Sequence, residues 1–317
     1  MTLDPQVATH LKRLAGTGFA SMHTLEPAVV REGMRRMTQA LGPGKPVHQV
    51  DNRTISTDVG DLRIRIYHPA AGGTRPVMVF FHGGGFVLGD LDSHDGLARS
   101  LAIAAECIVV AVDYPLSPEH KYPAARNAAY AATTWVAKHA AEIGGDPARL
   151  VVAGDSAGGN LAAVVALMAR SSNGPDIAFQ LLIYPDLDFR RSNHSIQAFA
   201  GQYGNVSRET QSWFMDHYLN NEDEKLDPLV SPLLSGDLTR LPPALVITAE
   251  YDALRDEGEA YCQRLQQAGA DAVLKRYDGM IHEFLRWPFD ASHDALRDIG
   301  NGVRGALGSP GRQASST

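Results

Sequence analysis

Ser156 stands in Gly154-Asp155-Ser156-Ala157-Gly158, between the apolar run Leu150-Val151-Val152-Ala153 and a segment that reads as helix from about 157 to 170. As a bare pattern, glycine, any residue, serine, any residue, glycine is common by chance. Between a buried strand and a helix it marks a sharp turn that lifts a serine hydroxyl above the end of a sheet. Such a turn needs small residues two before and two after the serine. The chemistry it serves is nucleophilic attack. A serine then needs a base for its proton, a carboxylate to orient the base, and donors for the charge that develops on the attacked carbonyl.

The donors are sought first. His82-Gly83-Gly84-Gly85-Phe86 follows directly on the apolar run Val77 to Phe81. Three successive glycines let the backbone come close to a substrate and present its N–H groups with no side chain in the way. The amide of Ala157 adds another. In acyl transfer each such donor is worth about 3–4 kcal/mol by deletion. A phosphate-binding loop is the competing reading, but neither glycine-rich phosphate fingerprint matches here.

Twelve histidines offer themselves as the base, so counting selects none. His82 belongs to the glycine loop. His120, His217 and His293 fall in segments that read as helix or cap. His282 closes the loop Asp278-Gly279-Met280-Ile281-His282, directly after the last strand, where an imidazole can hang over the sheet edge and reach Ser156. At its ordinary pKa of about 6.5 it would lose activity as a base below roughly pH 6–7. For the acid, the strand 244–249 runs into Glu250-Tyr251-Asp252-Ala253-Leu254-Arg255-Asp256-Glu257. Asp252 is best placed and Glu250 competes. Asp256 and Glu257 read as the first turn of a helix, where acids suit the positive N-terminus.

These residues need a scaffold. Leu62, Ile64 and Ile66 alternate with Arg63, Arg65 and Tyr67, a half-buried strand. Continuous apolar runs at 77–81 and 108–112, with 150–153, read as buried strands covered on both faces; 179–183, 244–249 and, last, 272–277 also read as strands. Helices are expected over 122–142, 157–170, 256–268 and 290–307. Strands alternating with helices predict an α/β fold with a mostly parallel sheet and helices on both faces. Two segments fall outside the alternation: a helical region over 4–40, and residues 187–228 with Trp213, Phe214 and Tyr218. The tail 308–317 reads as disordered.

Composition excludes several classes. The 317 residues carry 29 Lys+Arg against 36 Asp+Glu, a net charge of −7, with no basic stripe for nucleic acid. No apolar stretch approaches a membrane span, and no stable membrane association is expected. No secretory leader is apparent, and the expected location is the cytoplasm. The two cysteines, Cys107 and Cys262, match no metal-ligand or disulfide pattern. The chemistry calls for no metal and no organic cofactor.

Together HGGGF, GDSAGGN, YDALRDEG and GMIHEF resemble the bacterial hormone-sensitive-lipase-like carboxylesterases of the GDSAG branch, over roughly residues 10 to 307. The order Ser, Asp, His along the chain is that of the α/β hydrolases. The resemblance implies an α/β-hydrolase fold with an eight-stranded sheet. It implies a catalytic domain over 46–186 and 229–307 and a helical cap from 1–45 and 187–228. It places the nucleophile, acid and base on Ser156, Asp252 and His282, and the oxyanion donors within Gly83, Gly84 and Gly85, with Ala157. Gly84 and Gly85 are favoured over Gly83. Phe86, Trp213, Phe214 and Tyr218 are candidates to line a small apolar pocket. The resemblance also suggests a homodimer through the last strand or its helix.

Two departures from the family pattern stand out: Ala253 where proline is common, and Leu116 where arginine is usual in Tyr114-Pro115-Leu116-Ser117-Pro118-Glu119-His120. That last segment is read as structural. The implied activity is hydrolysis of short- to medium-chain acyl esters, with a small-molecule ester as the partner. Amide or peptide hydrolysis and interfacial lipolysis are alternatives on the same triad. A non-catalytic small-molecule receptor of this fold is another, though such a receptor would lack the base.

Overall fold

A computed structural model describes residues 2–15, 21–42, 44–203 and 207–308. The end of the expected tail, 309–317, lies outside these. In chain order the elements are α1 Pro5–Ala15, α2 Pro27–Leu41, β1 Gln49–Thr57, β2 Gly60–His68, β3 Arg75–Phe81, α3 Asp95–Ala105, β4 Ile108–Asp113, α4 Ala124–His139, β5 Gly145–Asp155, α5 Ala157–Ser172, β6 Phe179–Ile183, α6 His194–Phe199, α7 Arg208–Tyr218, β7 Ala244–Ala249, α8 Arg255–Gln267, β8 Ala272–Tyr277 and α9 Asp290–Leu307.

The strands form one eight-stranded sheet in the order β1-β2-β4-β3-β5-β6-β7-β8. β2 pairs antiparallel with β1 and β4, and the remaining pairs are parallel. The apolar runs read continuously because both faces are covered. Val77, Val79 and Phe81 point into the layer of α4, α5 and α8, while Met78 and Phe80 point into the layer of α3 and α9. Each such side chain contributes about 1.5–3 kcal/mol when fully buried.

Two elements carry no strong sequence signal and were not anticipated. β1 is an edge strand with Ile55 as its one buried residue, so it shows no apolar alternation. α3 buries Leu97, Ala98, Leu101, Ala102 and Ala105, a short stripe spaced as on one helical face.

The N-terminal region divides. α1 packs against the sheet domain beside the loop that follows β8. Val7 is fully buried, the Asp4 amide donates to the Gly279 carbonyl at 3.1 Å, and His10 lies 4.1 Å from the Trp287 ring. α2 is bolted elsewhere by Arg31, whose guanidinium donates to the carbonyls of Val87 and Ser117 and pairs with both Glu119 oxygens at 2.7 and 2.8 Å. The segment around Ser117 thus anchors α2 to the exit of the glycine loop, where the Ser117 amide also donates to the Phe86 carbonyl at 2.9 Å. Among the described residues no helix is long and apolar enough to cross a membrane.

Candidate active site

Sheet topology decides what can meet. β3 and β5 are neighbours in register, with Phe81 opposite Gly154, so the glycine loop and the serine turn leave the sheet side by side. The turn is tight enough to exclude side chains at its flanks. A Cβ on Gly154 would fall 2.1 Å from the Gly158 carbonyl oxygen, and one on Gly158 would fall 1.9 Å from that of Phe81. Ser156 itself sits at φ 55°, ψ −119°. For a non-glycine residue such a conformation costs on the order of 1–3 kcal/mol and needs support from its surroundings. Here the Ser156 amide donates to the Ile183 carbonyl at 2.9 Å, and its carbonyl accepts from the amides of Asn160 and Asp186.

β7 and β8 deliver the other two groups. Ser156 Oγ lies 3.0 Å from His282 Nε2, and His282 Nδ1 lies 2.7 Å from Asp252 Oδ2. In the neutral ring that acts as base, the hydroxyl donates to Nε2 and Nδ1–H donates to the carboxylate. Asp252 is almost fully buried, and its other oxygen accepts the Leu254 amide at 2.8 Å. The competing acids are engaged elsewhere. Glu250 Oε2 accepts the Gly279 amide at 2.8 Å, and Asp256 Oδ2 accepts the Ser195 amide at 2.7 Å. Burial would depress the His282 pKa, but the Asp252 charge and hydrogen bond outweigh it and raise it to about 9. That revises the expectation of an ordinary imidazole.

The three glycines are not equivalent. The Gly83 amide donates to Asp155 Oδ1 at 2.9 Å, so it cannot serve an oxyanion and drops out as a donor. The amides of Gly84, Gly85 and Ala157 donate to no group among the described residues. Gly84 and Gly85 line the cavity above Ser156. Gly85 has φ +60°, and a Cβ there would strike the Phe214 ring at 2.3 Å, so the ring covers the loop closely.

Below the loop lies a buried polar group that the sequence did not single out. The His82 Nδ1 donates to the Gly83 carbonyl at 2.8 Å, and its ring stacks on Tyr114 at 4.3 Å. Burial lowers the His82 pKa to about 4, so it stays neutral. The Tyr114 hydroxyl donates to the His82 carbonyl at 2.7 Å. The His94 Nε2 is 3.4 Å from Asp155 Oδ2.

The cavity holds about 960 Å³, including its open mouth. Phe86 and Phe214 line it; Trp213 and Tyr218 do not. Neighbouring residues on a helix point about 100° apart, and α7 turns Thr210, Gln211 and Phe214 to the cavity and Trp213 away from it. Trp213 instead packs with Val87 and Leu88. Tyr218 stacks flat behind Phe86, with ring centroids 3.9 Å apart. The pocket is also not simply apolar. Met22, Met34 and Met37 come from the N-terminal segment, but the ion pairs Arg191–Asp186 at 2.6 Å and Arg286–Glu283 at 3.1 Å share the wall. Arg191 is additionally 3.7 Å from the buried Glu257, which accepts the Leu187 amide at 2.6 Å. Each wall pair is local in sequence, but only folding brings the two pairs to one wall and sets Glu257 beside Arg191.

Comparison with known proteins places this geometry. A family model described as alpha/beta hydrolase fold matches residues 78–286. The chain is 40% identical over 292 residues to the carboxylic ester hydrolase LipN of Mycobacterium tuberculosis, covering 90% of this chain and 77% of that protein. It is 37% identical to carboxylesterase NlhH of the same organism, covering 89% of this chain and 90% of that one. Among solved structures, a hyperthermophilic esterase from the archaeon Pyrobaculum calidifontis is similar with a TM-score of 0.92 and 40% identity, covering 97% of this chain and 100% of that chain.

Proposed function

The chain belongs to the α/β hydrolases, in the hormone-sensitive-lipase-like group, and is a carboxylesterase; from that premise we propose that Ser156, His282 and Asp252 hydrolyse short- to medium-chain acyl esters in two steps. The observation that carries this reading is the continuous relay of 3.0 and 2.7 Å from Ser156 through His282 to Asp252, at the floor of the cavity.

In the first step His282 Nε2 takes the Ser156 proton as Oγ bonds to the ester carbonyl carbon. Asp252 holds the imidazolium that forms. The carbonyl oxygen becomes an oxyanion and accepts from the amides of Gly84, Gly85 and Ala157. The strained turn and the Gly83–Asp155 bond hold these donors in place before substrate arrives, which is where their advantage over water lies. Collapse breaks the bond to the alcohol, which leaves with the proton from His282. In the second step the same nitrogen takes a proton from water, and the water oxygen attacks the acyl-enzyme. Collapse returns the proton to Ser156 and frees the acid.

Substrate size follows from the walls. Phe86, Phe214 and the three methionines bound the cavity, with α2 and α7 acting as its cap. Each buried substrate CH₂ gains about 0.8 kcal/mol until the space is full. The test is kcat/KM on p-nitrophenyl esters of two to sixteen carbons, beside emulsified long-chain triglyceride. An optimum near four to eight carbons is expected. A jump in rate on the emulsion at the solubility limit would make the protein a lipase instead.

Residence in the cytoplasm fits the two free buried thiols, Cys107 and Cys262, and is tested by cell fractionation. A homodimer through β8 fits its unpaired sheet edge and the exposed Val273, and sedimentation at micromolar concentration tests it.

A further inference from the structure

Gln211, on the face of α7 that carries Phe214, lines the catalytic cavity and is about nineteen-twentieths buried, at 5% exposure. Neither its amide nitrogen nor its amide oxygen has a hydrogen-bond partner among the described residues, and both are shut off from bulk solvent. The Gln211 backbone is satisfied through the Ser207 carbonyl at 2.9 Å, so the side chain is not needed to cap or hold the helix. Its neighbour Thr210 is different, since the Thr210 hydroxyl is engaged with Ser207 Oγ at 3.2 Å.

A buried amide with both functions unused is costly, because it has given up water and received nothing back. A methionine or leucine would fill the same space at no such cost. Both functions of the amide are thus free for a ligand that enters the cavity. The terminal torsion of a glutamine is soft, so its amide can turn toward a ligand without moving the helix. One end of the amide donates and the other accepts, so its complement is a group that does both.

Resting on the esterase reading above, we propose that Gln211 is a specificity residue, and that the natural substrate is an ester bearing a hydroxyl or amide group that hydrogen-bonds its side chain. Plain alkyl esters then fill the pocket but leave Gln211 unpaired. The mixed wall supports the same conclusion, since Arg191, Asp186, Arg286 and Glu283 make the cavity more polar than an alkyl chain requires.

The test uses three matched pairs on the full-length enzyme, each a polar ester and its apolar isostere: p-nitrophenyl 3-hydroxybutyrate against 3-methylbutyrate, p-nitrophenyl N-acetylglycinate against 4-methylpentanoate, and 2-hydroxyethyl butyrate against propyl butyrate. The first two pairs place the polar group on the acyl side and the third on the alcohol side. The quantity read is the polar-to-apolar ratio of kcat/KM in wild type divided by the same ratio in Gln211→Met and Gln211→Leu, which cancels intrinsic ester reactivity. At least one pair is expected to give about tenfold, the scale of one hydrogen bond. Thermal melting supplies the second readout: both variants should melt at or above the wild-type temperature, because no native hydrogen bond is lost. Ratios within twofold of unity in all three pairs, or a variant that melts well below wild type, would overturn the proposal. Absence of turnover on every apolar ester by the wild type would instead overturn the esterase mechanism itself.

Discussion

The Glu250 carboxylate accepts the amide hydrogen of Gly279 at 2.8 Å, three residues ahead of His282. Two residues after Glu250, Asp252 meets the His282 ring directly at 2.7 Å. The two acids at the end of β7 thus hold the same loop in different ways, one by its backbone and one by its imidazole. Asp252→Asn should lose about 10⁴ in kcat, since it presents the wrong partner to Nδ1. Glu250→Gln keeps an acceptor for Gly279 and should lose less than tenfold. A dead Glu250→Gln beside an active Asp252→Asn would reverse the two assignments.

Ser156→Ala should fold normally and lose on the order of 10⁴–10⁶ in kcat, as in other hydrolases built on such a triad. A serine-reactive phosphonate should label one peptide, the one containing residue 156. Labelling elsewhere, with full activity in the alanine variant, would remove Ser156 from the mechanism.

The raised His282 pKa sets the pH dependence. The base must be neutral, so kcat/KM should climb with pH along a limb displaced above the 6.5 of a free imidazole, toward about 9. The stability contribution runs the other way. A folded pKa above the unfolded one means stabilisation that is complete below about pH 6.5 and lost as pH rises through about 9. Asp252→Asn removes the largest raising influence and leaves only the charges of Glu283 and Asp155 against burial, so the residual activity should show its acid limb below that of wild type. A wild-type limb at pH 6 that Asp252→Asn leaves in place would contradict the coupling.

Phe214 and Trp213 are adjacent in sequence and differ in role. Phe214→Ala opens space above Gly85 and should move the acyl optimum to longer chains. Trp213→Ala empties the cluster with Val87 and Leu88 and should cost about 3–5 kcal/mol of stability, with little change in chain-length preference. Rate profiles and melting curves of the two variants separate these outcomes.

Arg31 bridges α2 to the glycine-loop exit. Arg31→Ala leaves the carbonyls of Val87 and Ser117 short of a donor, a loss of about 1–3 kcal/mol. Tm should fall and KM should rise together, because Met34 and Met37 of the same helix line the cavity. The Arg31 hydrogen bond pulls the Glu119 pKa down to about 2, but the carboxylate is largely exposed, and Glu119→Gln should change Tm only slightly. Equal effects of the two substitutions would show that the ion pair, not the carbonyl contacts, anchors α2.

The sequence by itself determined the parts whose requirements are local. A sharp turn between a strand and a helix needs glycines at 154 and 158 whatever surrounds it, and apolar runs of strand length announce a sheet covered on both faces. It narrowed the acid to the end of β7 and the base to the loop after β8, because strand ends are where a sheet presents side chains. Tertiary structure decided the rest. Gly83 differs from Gly84 only because Asp155 occupies its amide, and Glu250 differs from Asp252 only because Gly279 lies beside it. Trp213, Phe214 and Gln211 were sorted by how α7 is rotated against the sheet, which packing sets and composition does not record. The pairs Arg191–Asp186 and Arg286–Glu283 are each local in sequence, but neither segment records that the other shares its cavity wall, because that depends on how distant strand ends pack.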